Sequence, residues 1–203
     1  MGKLLIASQN QGKIAEIKAL LANELLELVT PDEAGISLTV EENGQSYRQN
    51  AAIKAKAYTH AVGLISLADD SGLEVDALGG QPGILSARFS PQPGATDADR
   101  RVYLLQQLAG YPRPWQARFR CAVAISRPPD TVFYTEGLCE GEIIPDEIGE
   151  GGFGYDPIFW LPHLHHTMAE LDMHHKNQIS HRAHAVREAV PLLRELLNNS
   201  KKS

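Results

Sequence analysis

An apolar run, KLLIAS, opens the chain and gives way almost at once to a helical period, with Ile14, Ile17 and Leu21 on one face of a segment from Lys13 to Ala22. A strand that feeds an amphipathic helix through so short a loop buries both only if the helix packs back onto a sheet. The alternation continues. LELVT and LISLAD read as strands, and residues from about Gln45 to Ala61 read as a helix in which Tyr47, Ala51, Ala55 and Tyr58 recur near helical spacing. TDADRR starts a third helix, with Thr96 or Asp97 as cap and Val102, Leu105 and Leu108 as its buried stripe. RFRCAVAIS and TVFYTEGLCEGEII read as antiparallel neighbours joined at RPPD. A last helix spans about Ser180 to Leu197, where Pro191 predicts a kink or break. The expected class is α/β with a mixed β-sheet and flanking helices.

At 203 residues the chain has room for one substantial core, and it is read as a single domain over 1–203 with a frayed tail at 198–203. Hydrophobic residues at 43% and charged residues at 22% match an ordinary globular protein. The net charge of −6, with basic residues scattered, argues against long nucleic acid as a partner. A small anion is compatible with that charge, because a few cations and a helix start can hold phosphate locally. No apolar run approaches membrane-spanning length and no leader pattern precedes the first strand, so a cytoplasmic location is expected. Cys121 and Cys139 lack CxxC spacing, and a buried reduced thiol is expected for Cys121.

Five stretches carry candidate chemistry. IASQNQGK resembles a shortened phosphate-binding loop, with Gly12 and Lys13 opening a helix, and it equally suits a plain strand-to-helix turn. VEENGQSYRQNAAIKAKA sets Glu41 and Glu42 before a helix and places Asn50 and Lys54 on one helical face, where they suit a hard cation, a phosphate or simply solvent. LADDSG ends an apolar strand in adjacent carboxylates; alternation sends Asp69 and Asp70 to opposite faces, so one should work and the other support. Hard oxygen ligands of this kind suit Mg2+, and a turn is the plainer reading. GEGGFGYDPIF combines glycines with Phe153 and Tyr155, which suits close approach of backbone and stacking of a flat base. HHKNQISHRAHA is histidine-rich, but lacks HExxH, and hydrogen-bond donation to a ligand is a better reading than zinc binding.

In this order the five stretches resemble the inosine triphosphate pyrophosphatase family, hydrolases of non-standard purine nucleoside triphosphates. ADDSGLEVDALGGQPGILSAR, GGFGYDPIF and SHR carry the resemblance, which runs from Leu4 to about Leu197. It implies an elongated mixed sheet in two lobes with a nucleotide cleft between them, Mg2+ dependence and a homodimer. It implies that Ser8, Asn10, Gly12 and Lys13 hold the triphosphate with Lys54, that Glu42 and Asp70 approach the metal, and that Asp70 is the general base for water. Ser71 would touch substrate. Phe153, Gly154, Tyr155 and Asp156 would form the base-side loop, and Lys176, His181 and Arg182 would read the purine. Gln49 and His174-His175 depart from the family's pattern, which has acids there. A Maf-like nucleotide pyrophosphatase of other base preference and a non-catalytic nucleotide sensor are the alternatives, disfavoured by GGFGYDPIF with SHR and by the carboxylates respectively.

Overall fold

The computed structural model describes residues 2–199. Its strands are β1 (Gly2–Ile6), β2 (Leu26–Val29), β3 (Ile65–Val75), β4 (Trp115–Arg127), β5 (Thr131–Ile143), β6 (Phe159–Leu161) and β7 (His166–Thr167). Its α-helices are α1 (Gln11–Leu20), α2 (Tyr47–Val62), α3 (Asp97–Leu108), α4 (Met173–Ile179) and α5 (His181–Asn199). One sheet has the order β2-β1-β3-β4-β5-β6-β7. β1 is parallel to β2 and β3, whereas β6 is antiparallel to β5 and β7, so the sheet is mixed. Three residues between β4 and β5 are too few for a parallel crossover, which makes that pair a hairpin. Among the described residues no helix is long and apolar enough to cross a membrane.

The chain divides into two compact units. The first comprises residues up to Asp70, Cys121–Gly137 and the segment from His181; the second comprises Ser71–Arg120 and Leu138–Ser180. In the first unit, Leu4 and Ile6 of β1 pack with Ile14, Ile17 and Leu21 of α1 and with Val186 and Leu193 of α5. Leu5 and Ala7 point the other way, against Ala51, Ala55 and Tyr58 of α2. Helices on both faces explain why KLLIAS is a continuous apolar run and does not alternate. The second unit has its own core around Leu73, Val75, Leu104, Leu108, Phe119 and Phe159.

Several expectations change. β3 does not stop at the aspartates but continues through Ser71 and Gly72 to Val75, because Leu73 and Val75 are buried and keep the chain extended. Val102 is 51% exposed, and Leu104, fully buried, takes its place beside Leu108 one turn on. α5 runs without a break past Pro191, which is exposed. Of the expected tail, residues 198 and 199 belong to α5, and residues 200–203 lie outside the described residues. Both cysteines are free and buried.

Pairing of β1 with β3 decides where the chemistry falls. Leu4, Leu5 and Ile6 lie opposite Ile65, Ser66 and Leu67, and the Ala7 N–H extends the ladder to the Leu67 carbonyl at 2.8 Å. Because the two strands run in the same direction, the loop at 8–10 follows the end of β1 beside the aspartates at 69–70, which lie within β3 just past its pairing with β1.

Candidate active site

At the start of α1, Asn10 is the N-cap: its Oδ1 accepts from the Lys13 N–H at 3.0 Å, while its own N–H donates to Ser8 Oγ at 3.2 Å. Ser8 and Asn10 therefore shape the loop, and Gly12 lies in the first helical turn, whose N–H groups lack intrahelical acceptors. The Lys13 side chain reaches Asp69 Oδ2 at 3.1 Å.

Asp69 and Asp70 take different partners, as alternation along β3 requires. Asp70 faces α2, where Asn50 Nδ2 donates to its Oδ2 at 3.0 Å and Lys54 Nζ lies 3.7 Å from its Oδ1. The same ammonium donates to Glu42 Oε2 at 3.0 Å. Glu42 is brought there because the Gly44 N–H donates to Asn50 Oδ1 at 2.8 Å, wrapping the preceding loop onto α2; a Cβ at Gly44 would stand 2.7 Å from that oxygen. Glu41 is exposed. Burial pushes the Asp70 pKa up, and the pull of Lys54 and Lys13 and the Asn50 hydrogen bond does not fully offset it. The result is a carboxylate more basic than usual beside a lysine that its acidic neighbours keep charged despite burial.

Asp69 is fully buried at its side chain and faces α1 and α5. Arg182 Nε and Nη2 both lie 3.0 Å from its Oδ2. Burial alone would raise its pKa, but Lys13, Arg182 and Lys54 outweigh burial and hold the carboxyl far below the usual range. Arg182 Nη1 bonds Glu16 Oε2, so the guanidinium joins two carboxylates in the interior. Asp69 Oδ1 is buried without a hydrogen-bond partner among the described residues. Arg182, expected among the purine readers, thus spends these donors on Asp69 and Glu16. His181 is buried as the first residue of α5, and Ser71 is half-buried on β3.

In the second unit the glycine-rich loop is built around Asp156. Its Oδ2 accepts from the Phe153 N–H at 2.9 Å and from Lys176 Nζ at 2.6 Å, and that ammonium sits 4.9 Å from the centre of the Phe153 ring. Gly152 has φ +72° and a Cβ there would overlap the Asp156 carboxylate, so glycine is required. Tyr155 is buried, with its hydroxyl donating to the Ser86 carbonyl at 2.8 Å. Lys176, Asp156, Phe153 and Tyr155, expected at the base side, are therefore brought together, with Gly154 between the two aromatic residues.

The model of the Ham1 family matches residues 4–192. The chain belongs to the Ham1 family. Relatives named dITP/XTP pyrophosphatase include one from Desulforamulus reducens, 45% identical with 96% of each chain covered, and one from a Nostoc species, 43% identical with 97% of each covered. Among solved structures, a HAM1 protein from Coxiella burnetii is 38% identical with a TM-score of 0.86, covering 96% of this chain and all of that one.

Three residues of this Ham1-family site were not singled out as site residues from sequence. The sequence reading offers Asn50 only as a polar partner of Lys54 for a cation or phosphate and Asp69 only as one of two carboxylates of which one supports, and it does not include Glu16. Spacing gives no signal for Glu16: it stands about 100° round the helix from Ile17 and further from Ile14, and its burial comes from the fold alone. Among the described residues no three His, Cys, Asp or Glu side chains form a metal cage.

Proposed function

We propose that this Ham1-family chain is a nucleoside triphosphate pyrophosphatase that hydrolyses non-standard purine nucleotides, ITP, dITP and XTP, to the monophosphate and pyrophosphate. The observation that carries the reading is the Asp70 carboxylate, raised in pKa and held by Asn50 next to the Lys54 ammonium, on β3 just past the end of β1, from which the chain leads into α1. An anion binder gains nothing from such a carboxylate; a hydrolase needs it to take a proton from water.

In this mechanism Asp70 orients a water and accepts its proton as the oxygen attacks the α-phosphorus. Asn50 keeps the accepting oxygen in place. Lys13, Lys54 and the first-turn N–H groups of α1 bind the triphosphate and stabilise the charge that collects on the departing pyrophosphate, a contribution of about 3 kcal/mol per well-placed donor. Ser8 and Asn10 hold the loop in shape, and Ser71 contacts substrate. Magnesium fits the donor set: Glu42 and Asp70 are hard carboxylates already gathered on one cation, Lys54, and Mg2+ commonly takes one or two carboxylates and completes its shell with water and phosphate oxygens. When bound it supplies charge neutralisation at the phosphates.

The base is read by the loop from Phe153 to Asp156 with Lys176 and His181. Their donors favour a 6-oxo acceptor over the 6-amino group of adenine, and each buried polar group left unpaired costs about 1–3 kcal/mol. The 2-amino group of guanine adds a further donor among donors. We expect kcat/KM for ITP, dITP and XTP to exceed that for ATP and GTP by about 10²-fold or more. A homodimer is read on the strength of the family resemblance, and the cytoplasmic location expected from the sequence is kept with it. Pyrophosphate release and nucleotide chromatography over the five triphosphates, with and without Mg2+, test the assignment. No release from any of them overturns it, and ATP or GTP within ten-fold of ITP overturns the donor account of the base site.

A further inference from the structure

α3 grips the glycine-rich loop at one residue. The Gly154 N–H donates to Asp97 Oδ2 at 2.8 Å, and the Gly154 carbonyl accepts from Arg101 Nη1 at 2.8 Å. Asp97 and Arg101 stand one helical turn apart, so a single rigid element holds the peptides on both sides of Gly154. Arg101 is fixed in turn by Glu147, through Nε to Oε1 at 2.9 Å and Nη2 to Oε2 at 2.8 Å, and its side chain is only 12% exposed.

Gly154 has φ +62°, a left-handed turn between Phe153 and Tyr155, and a Cβ built there would meet nothing within 4 Å. The space beside Gly154 is open, and the two polar grips from α3 hold its own peptides where Asp156 holds the Phe153 N–H. On its far side the loop is anchored by Tyr155, Ile158 and Phe159 in the core of its unit. On its near side, directly before Gly154, Phe153 carries its ring 4.9 Å from the Lys176 ammonium.

We propose that Asp97 and Arg101 are positioning residues that set purine selectivity, by locking Gly154 and so fixing the Phe153–Lys176 pair. The proposal rests on the base-side role given to this loop above. Neither side chain needs to touch substrate. Misplacement of a binding group by about 1 Å can cost up to about 10²-fold, so loss of either grip should blur recognition of the base while leaving recognition of the phosphates alone.

The test compares Asp97→Ala, Asp97→Asn, Arg101→Ala and Glu147→Gln with the wild-type full chain. Asp97→Ala and Arg101→Ala should lower the ITP to GTP ratio of kcat/KM by about ten-fold, chiefly through KM, with inhibition by inorganic pyrophosphate unchanged. Asp97→Asn keeps an acceptor oxygen and should restore the ratio to within about two-fold of wild type. Glu147→Gln, which loosens Arg101 without removing it, should give a smaller loss and covers the case in which an alanine variant fails to fold. In the ligand-free protein, amide hydrogen exchange over residues 152–156 should quicken in both alanine variants. An unchanged ITP to GTP ratio, unchanged exchange, or an equal loss of pyrophosphate inhibition overturns the proposal. Absence of pyrophosphate release by the wild type overturns the assigned reaction instead, and the exchange measurement then decides the clamp by itself.

Discussion

Two adjacent aspartates with opposite electrostatics are the clearest residue-scale feature. Asp70 has a raised pKa and Asp69 a strongly lowered one, since cations crowd Asp69 and leave Asp70 more dependent on burial. Asp70→Asn should leave a folded, nucleotide-binding protein with turnover down by about 10²-fold or more. As the general base Asp70 acts ionised, so kcat/KM should fall as pH drops through its raised pKa, with the acidic limb displaced above the ordinary value near ~4. Asp69→Asn should act on stability, by about 3 kcal/mol, because it takes one of the two carboxylates from the buried Arg182 and leaves Glu16 alone against that guanidinium and Lys13. The lowered pKa of Asp69 means that its contribution is fully present above the unfolded-state value and is lost only as pH falls towards the folded one; the raised pKa of Asp70 works in the opposite sense, costing stability above it. Denaturant titrations of both variants from neutral to acidic pH, beside turnover, separate the two roles, and a dead Asp69→Asn with an active Asp70→Asn would reverse them. Lys13→Ala should weaken triphosphate binding far more than monophosphate binding, measurable by calorimetry, and equal losses would place Lys13 at the α-phosphate or in the fold.

At the scale of elements, β5 against α5 is the tightest junction. A Cβ at Gly137 would overlap the His181 carbonyl and stand 2.6 Å from the Ala185 N–H nitrogen, both backbone atoms that cannot turn aside. Gly137→Ala should therefore push the start of α5 away from β5 and cost on the order of 1–3 kcal/mol, seen as a lower thermal midpoint. Among these starts only that of α3 is read through its cap, Thr96; Asn10 and Ser46 accept in the same way from the amide three residues on, yet the sequence reading begins α1 at Lys13 and α2 at about Gln45. The end of β3 was not legible, since Asp-Ser-Gly has turn chemistry and only the burial of Leu73 and Val75 carries the strand onward. The buried stripe of α3 slipped from Val102 to Leu104 for a related reason: which apolar side faces inward is decided by the sheet beneath, and the helix itself fixes only the period.

For the molecule as a whole, the α/β class and the shared face of Asn50 and Lys54 could be read from residue order, whereas their meeting with Asp70 and the connection of Glu16, Asp69 and Arg182 could not. Spacing along one element reveals what shares a face; it is silent about which distant segment supplies the counter-charge. The motif SHR shows the residue type of Arg182, and the two carboxylates that hold it come from α1 and β3, far away in the sequence. That ion cluster has a consequence for how the chain is made. Arg182 meets Asp69 across 113 positions and Glu16 across 166, so during synthesis two acids destined for the interior wait without their guanidinium until nearly all of the polypeptide has left the ribosome. Contacts that distant are slow to form and reward the chain late. The first unit should accordingly acquire its protease resistance abruptly, only once α5 has emerged, and a nascent chain stalled before residue 181 should remain a substrate for chaperones however complete its strands and earlier helices are.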